Sequence, residues 1–200
     1  KIESFIADCK LNGGGRCNYT PGVAIVGATC IQGIYYIPKS DIVAIGEATS
    51  SVIAGSNRGY GAFQTMPAFD TLLDEAASIL KVDPVEFRIK NLMLSGMKNT
   101  QGAIPGGMLR AREVIDRCIE HPLWKNREEK KKQYAKDNPG HRLGIGFGCT
   151  QADFGSGNEA SYAKIELSEK GEVTLWHSGL EVGTGMSTSQ SVLCAEWFGV

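Results

Sequence analysis

Apolar side chains recur at helical spacing along the middle of the chain. The clearest stripe lies between Gln64 and Leu80, and it comprises Met66, Phe69, Leu72, Leu73, Ala76, Ala77 and Leu80. This spacing predicts an amphipathic helix. A second helix is predicted from the Asp83-Pro84 cap to Leu94, and a third from Leu109 to Ile119. Trp124 to Lys136 mixes charges of both signs, which is typical of a helix with a solvated face.

The first fifty residues combine β-branched runs with turn residues. Alternation over Lys1–Leu11 predicts a strand, and Asn12–Gly15 predicts a turn or loop. Thr20 followed by proline predicts the start of a short buried helix over Pro21–Ile34. Lys39–Asp41 is expected to be a turn before a strand over Ile42–Ile53.

The strongest break in the chain is Asp137–Gly140, and the character of the sequence changes beyond it. Strands are predicted at Leu143–Gln151, Ser161–Leu167 and Val173–His177. Ser168–Gly171 is expected to form a hairpin turn, and Ser187–Phe198 a helix. The pattern predicts an α+β fold with mixed short sheets and flanking helices, divided into subdomains of residues 1–137 and 138–200.

Composition excludes several classes of protein. The formal net charge of −1 over 200 residues argues against a nucleic-acid binder, which usually carries a basic excess. No apolar run reaches the roughly 18 residues of a membrane span, and no stretch of the sequence has the pattern expected of an export leader. The chain begins at Lys1, so we expect it to be processed or excised from a longer polypeptide.

Neither the cysteines nor the histidines predict a metal site. The six cysteines are scattered, without the paired spacing of zinc or iron–sulfur ligands. Scattered cysteines usually serve as small buried side chains in a reducing compartment, which favours the cytoplasm. His121, His141 and His177 lack the spacing of ligands or of a catalytic triad, so no metal ligand is predicted.

The segment Arg58–Gln64 has the features of an anion-binding turn. Gly59 and Gly61 flank an aromatic residue directly after Arg58, so the backbone can pass close to a bulky anionic group. A helix is predicted to begin immediately afterwards, and helix N-termini favour negative charge.

A second glycine-rich loop, Glu181–Thr188, also precedes a predicted helix. Its backbone N–H groups could bind an anion, with Ser187 and Thr188 adding hydroxyl donors. A tight turn that needs glycine for positive φ explains the same residues. Local sequence alone favours this second interpretation.

These motifs together resemble those of the molybdenum hydroxylases, the family of xanthine dehydrogenases and aldehyde oxidases. That family carries R-G-[FY]-G-x-x-Q, then a helix with D-E-A-A, then D-P-x-E-x-R-x-x-N. The corresponding segments are Arg58–Gln64, Asp74–Ala77 and Asp83–Asn91. The loop at Glu181–Gln190 is similar to the family's E-x-G-Q-G-x-x-T-x-x-x-Q, although Thr184 replaces the usual glutamine and the final glutamine is shifted.

The resemblance implies a set of site residues. Cofactor contacts are expected from Arg58, Gly59, Ala62, Gly183, Thr184 and Gly185. Tyr60 matches an aromatic residue that faces the substrate ring in relatives, and Phe147 is similar to a second aromatic residue on the other side of that ring. Flat aromatic platforms suit heteroaromatic substrates.

The implied function is that of a portion of a molybdopterin-binding subunit. Such an enzyme oxidises N-heterocycles or aldehydes with water as the oxygen source. Its molybdopterin would be bound in the plain form or as the cytosine dinucleotide, with iron–sulfur clusters and FAD on other domains or subunits. The family's general base, a late glutamate, has no counterpart here, so no catalytic residue is assigned and the segment alone is expected to be inactive. The alternative is a non-catalytic α+β module that binds no molybdenum.

Overall fold

A computed structural model of the chain describes residues 1–151 and 161–199. Two compact units make up the chain, residues 1–152 and residues 153–200. The described part of the first unit contains β1 (Ser4–Gly14), α1 (Thr20–Cys30), β2 (Lys39–Ala48), α2 (Ala62–Leu80), α3 (Pro84–Lys90), α4 (Ala111–Ile119), α5 (Pro122–Lys125) and α6 (Arg127–Asp137). That of the second contains β3 (Ala163–Leu167), β4 (Val173–His177) and α7 (Met186–Phe198). The predicted α+β class is confirmed.

The strands β1 and β2 pair in parallel over their whole length, and the last pair is Gly14 with Ala48. The turn expected at Lys39–Asp41 is wrong, because these residues open β2 and pair with Ser4–Ile6. A partner strand that satisfies backbone N–H and C=O groups overrides weak local turn preferences.

The second strand is also shorter than predicted, because it ends at Ala48 instead of Ile53. The N–H of Thr49 donates to the carbonyl of Gly14 at 3.1 Å. The Thr49 hydroxyl donates to Oδ1 of Asn12 at 2.7 Å. These bonds turn the chain at the end of β2. The turn predicted at Asn12–Gly15 begins later than expected, because β1 continues to Gly14.

The helix α1 ends earlier than predicted. It stops at Cys30 instead of Ile34, and the N–H of Gly33 donates to the carbonyl of Cys30 at 2.8 Å. Gly33 has φ +56°, a conformation that interrupts a right-handed helix. The buried face of α1 carries Val23 and Ala24, which pack with Leu11 of β1.

The main core lies among the helices of the first unit. The amphipathic stripe of α2 is confirmed in part: Met66, Phe69, Leu73 and Ala77 are buried, as is Thr65, whereas Leu72 and Leu80 are exposed. The buried cluster around it contains Ile31, Ile34, Tyr35, Ile37, Phe69, Leu73, Ala77, Val85, Phe87, Leu92, Ile115 and Trp124. This cluster holds the buried face of α2.

The helix α3 begins with the predicted cap and ends before the predicted boundary. Oδ1 of Asp83 accepts the N–H groups of Val85 at 2.8 Å and Glu86 at 3.1 Å. The helix stops at Lys90. Asn91 then uses its side-chain amide to donate to the carbonyl of Phe87 at 2.7 Å, which satisfies a group at the helix end.

The charged segment forms two helices instead of one, with Asn126 between α5 and α6. No residue of α6 is buried, as expected for a solvated helix. Trp124 behaves differently, since it belongs to the buried cluster and lies beneath the Arg127 guanidinium at 4.0 Å.

The strand predicted at Leu143–Gln151 is wrong. Half-buried and exposed residues alternate along it, but it pairs with no strand among the described residues. Ile145, Phe147 and Cys149 pack against the main core instead. An alternating pattern reports which side is buried, whereas a strand also needs a partner for its backbone groups.

The second unit confirms its predicted hairpin and helix. β3 and β4 are antiparallel, with Ala163 opposite His177. The turn is closed by Gly171 and Glu172, whose N–H groups donate to the carbonyl and hydroxyl of Ser168 at 3.0 Å each. The predicted helix begins one residue earlier, at Met186, and ends at Phe198.

Within residues 1–151 and 161–199, no helix is long and apolar enough to cross a bilayer. The same residues contain no group of three or more His, Cys, Asp and Glu side chains placed to hold a metal ion.

Candidate functional site

The turn that carries Arg58 has an unusual backbone. Gly59, Tyr60 and Gly61 have φ values of +99°, +45° and +100°. The N–H of Tyr60 donates to the carbonyl of Asn57, and that of Ala62 to the carbonyl of Gly59, each at 2.9 Å. Three successive left-handed residues therefore reverse the chain immediately before α2.

Close packing on α1 explains why glycine is needed at position 61. A Cβ on Gly61 would lie 2.2 Å from the carbonyl oxygen of Val23 and 3.0 Å from the backbone nitrogen of Gly27. Any larger residue would push the turn away from α1. The second glycine of the motif therefore allows the turn to lie against α1.

Tyr60 adopts the left-handed conformation despite its side chain, at a cost of about 1–3 kcal/mol. Its ring lies edge-to-face with Tyr19, with centroids 6.2 Å apart. Tyr60 is 47% exposed, so one part of the ring is held by Tyr19 and another faces solvent. Backbone strain of this kind is often found at ligand-binding positions.

The start of α2 is suited to a negative charge. Gly61 is its N-cap, no side chain caps its first turn, and no acidic residue lies there. Arg58 is exposed just before this helix, and the backbone N–H of Arg58 donates to Oδ1 of Asn57 at 2.8 Å. A helix of 19 residues with an uncapped start and a nearby guanidinium provides a positive electrostatic potential.

The second loop is different, because an acidic side chain already occupies its N–H groups. Oε1 of Glu181 accepts the N–H of Gly183 at 2.7 Å and that of Gly185 at 3.1 Å. Oε2 accepts the N–H of Ser187 at 3.2 Å. Hydrogen bonds from the backbone of Gly185 and Ser187 lower the pKa of the Glu181 carboxyl. The sequence motif alone did not indicate this role for Glu181.

Phe147 lies against the core of the first unit. It is half-buried, and its ring meets Trp124 edge-on with centroids 5.1 Å apart. The aromatic neighbour of Tyr60 is Tyr19 instead. A substrate-facing role for Phe147 stays a prediction, and its contact with Trp124 shows how its ring is held.

Arg88, Asp70 and Asp74 form an ion-pair network next to the segment that carries Phe147 and Cys149. This network was not predicted from the sequence. Arg88 is fully buried and donates to Asp70 and to Asp74. Asp70 also accepts the Tyr35 hydroxyl at 2.9 Å and the N–H of Cys149 at 3.3 Å. The sequence contains a signal for this network: α2 carries two carboxylates four residues apart, on one face of the helix, and the following helix carries an arginine.

Burial in this network changes two ionisable groups. It raises the pKa of the Tyr35 phenol and the pKa of the Cys149 thiol, since each neutral form is favoured away from water. Both groups therefore serve as neutral, packed side chains near neutral pH.

Comparisons with known proteins agree with the motifs. Two family models, both described as a molybdopterin cofactor-binding domain, match residues 1–92 and 117–200. The putative xanthine dehydrogenase molybdenum-binding subunit of Escherichia coli (strain K12) is 26% identical and matches 100% of this chain and 26% of its own length. Aldehyde oxidoreductase of Megalodesulfovibrio gigas is 31% identical and matches 80% of this chain and 17% of its own length.

A solved structure shows the same relationship. Aldehyde oxidoreductase from Desulfovibrio gigas superposes with a TM-score of 0.63 at 26% identity, over 85% of this chain and 19% of that protein. The chain thus spans about a quarter or less of the length of these relatives. It belongs to the molybdenum hydroxylase family and forms part of the molybdopterin cofactor-binding region.

Proposed function

We propose that this chain is part of the molybdopterin-binding subunit of an enzyme that oxidises N-heterocycles or aldehydes with water as the oxygen source. The longer polypeptide that contains the chain is called the parent subunit below. The names of the relatives, a xanthine dehydrogenase subunit and an aldehyde oxidoreductase, support this substrate range. The family models cover both ends of the chain.

The Arg58 turn is the observation that carries the proposal. The exposed residue Arg58 and the acid-free start of α2, which no side chain caps, fit an anionic cofactor. Arg58, Gly59 and Ala62 would hold the cofactor from this side. Molybdopterin would supply the redox chemistry, whereas the protein supplies binding and orientation.

Gly183, Thr184 and Gly185 would contribute from the second loop. The N–H groups of the two glycines already donate to Glu181, so they fit an outside anion less well than the Arg58 turn does. The exposed side chain of Thr184 lies between them and remains suited to a polar contact. Thr184 stands where relatives have glutamine, and its hydroxyl is a shorter donor than an amide.

Tyr60 and Phe147 would form the walls against which a flat substrate ring lies. The strained backbone and the Tyr19 contact fix the Tyr60 ring, so little side-chain freedom is lost on binding. Aromatic walls favour a heterocycle over a small aliphatic aldehyde.

Electrons would pass to iron–sulfur centres and FAD on other domains or subunits, in the cytoplasm. Molybdopterin would be present in the plain form or as the cytosine dinucleotide. The division at residues 137/138 would separate the family's subdomains within the parent subunit. The general base would come from the remainder of that subunit.

Purification of the parent subunit from a cofactor-sufficient host tests this function. We expect bound molybdenum and hydroxylation of an N-heterocycle or aldehyde, with ¹⁸O from labelled water in the product. A folded subunit that binds no molybdenum would support the alternative, a non-catalytic module that keeps the fold.

A further inference from the structure

The carboxylate of Glu181 lies in the concave side of its own loop. Its two oxygens accept the N–H groups of Gly183, Gly185 and Ser187 at 2.7, 3.1 and 3.2 Å. These contacts all lie within seven consecutive residues of the second unit. Gly183 and Gly185 have φ values of +87° and +74°, which bring successive N–H groups to one side of the backbone.

This arrangement gives Glu181 the place that a bound anion takes at a helix start. Convergent N–H groups before a helix attract phosphate or carboxylate groups. Gly185 is the N-cap of α7, and the first turn of that helix contains no acidic residue. Glu181 therefore supplies the negative charge from outside the helix and satisfies donors at its start.

We propose that Glu181 is a positioning residue for the second cofactor loop. Its carboxylate sets the shape of residues 182–187 before any cofactor binds, and it keeps outside anions away from the three N–H groups. The loop then contacts the cofactor through outward groups such as the side chain of Thr184. Cofactor binding at this loop rests on the proposed function, whereas the role of Glu181 in shaping the loop does not.

Substitution by glutamine separates this role from general stability. Glutamine at position 181 keeps one acceptor oxygen, which can still bind the N–H groups of Gly183 and Gly185. Its amide nitrogen would face the N–H of Ser187, and two donors cannot form a hydrogen bond. Alanine removes all three contacts.

Residue-resolved amide hydrogen exchange in the cofactor-free parent subunit tests the proposal. For Glu181→Ala we expect exchange at Gly183, Gly185 and Ser187 to accelerate about tenfold or more, because the bonds that protect these amides are lost. Glu181→Gln should accelerate exchange at Ser187 alone. Glu169→Ala, an exposed acid in the β3–β4 turn, is the matched control and should change none of the three.

Molybdenum content, measured on the same variants after loading, distinguishes the two proposals. Wild-type rates at all three amides in Glu181→Ala would overturn the positioning role, whatever the molybdenum content. Should the alanine variant fail to fold, a wild-type exchange rate at Ser187 in Glu181→Gln would overturn it instead. Wild-type protein without molybdenum would contradict the proposed function but leave the exchange result valid. Lower molybdenum content in Glu181→Ala than in Glu181→Gln supports both.

Discussion

Arg88 and Asp70 form a two-point ion pair inside the first unit. Nε of Arg88 donates to Oδ1 of Asp70 at 3.1 Å, and Nη2 donates to Oδ2 at 2.8 Å. The arginine side chain is 0% exposed and that of the aspartate 14%. Because Asp70 also binds Tyr35 and Cys149, the pair connects α2 and α3 to the segment that carries Phe147.

Replacing Arg88 by methionine should destabilise the first unit strongly. We expect a loss of about 3–5 kcal/mol, because the change leaves Asp70 as an uncompensated, mostly buried charge. Denaturant unfolding of the parent subunit, followed at Trp124, measures the effect. Arg112→Met is the matched control: its pair with Asp116 is exposed, so a change of about 0–1 kcal/mol is expected. Similar losses in the two variants would contradict the structural role of the buried pair.

The thiol of Cys149 should react slowly with iodoacetamide. Burial raises its pKa, so the reactive thiolate is scarcer at pH 7–8 than for an ordinary thiol of pKa about 8.5. Its labelling rate should keep rising at pH values where the rate of an ordinary thiol has levelled off. The exposed Cys118 is the internal reference. Peptide mass spectrometry over a pH series measures both rates, and equal labelling of the two cysteines at pH 7.5 would contradict the burial of Cys149.

Sequence patterns predicted the elements whose stability is local. The helix α2 and the Asp83 cap of α3 needed only neighbours within a few residues, and both are confirmed. The start of β2 at Lys39 depends on a parallel strand 35 residues earlier, as the pairing of Lys39 with Ser4 shows. Periodicity carries no information about such a distant partner.

The same distinction applies to the candidate site. The glycines around Tyr60 could be recognised from the motif, because both have positive φ and Gly61 also lies against the backbone of α1. The contacts of Glu181 depend on where a loop places three N–H groups, and the order of residues alone does not show this. The wrong strand at Leu143–Gln151 had the correct alternation but no partner among the described residues.

Substituting Arg58 by alanine in the parent subunit should reduce molybdenum content more than stability. A hydrogen bond to a charged group contributes about 1.5–3 kcal/mol. Removal of an exposed side chain usually changes stability by less than about 0.5 kcal/mol. Arg110→Ala provides the control, since Arg110 is also exposed and precedes a different helix, α4. A collapse of the melting temperature, with full metal content in the folded remainder, would show that Arg58 is structural.

Tyr60 should affect turnover more than stability. Tyr60→Gly relieves the left-handed strain but also removes the Tyr19 contact and adds freedom to the unfolded chain, so we expect stability to change little while the ring that would face substrate is lost. Tyr60→Phe keeps the ring and should change kcat/KM only modestly. Tyr60→Ala should lower kcat/KM, because the transition state loses about 0.5–1.5 kcal/mol of stabilisation from ring–ring contact in addition to lost burial. Steady-state kinetics at equal molybdenum content measures these effects, and full activity in Tyr60→Ala would withdraw the substrate-facing role.

A crystal structure of the parent subunit loaded with molybdopterin tests the central claim most directly. We predict that the bound cofactor lies within hydrogen-bonding distance of the Arg58–Ala62 turn. We also predict that the Glu181 carboxylate still accepts the N–H groups of its own loop. The claim would be contradicted by a bound cofactor that contacts no residue of the Arg58–Ala62 turn.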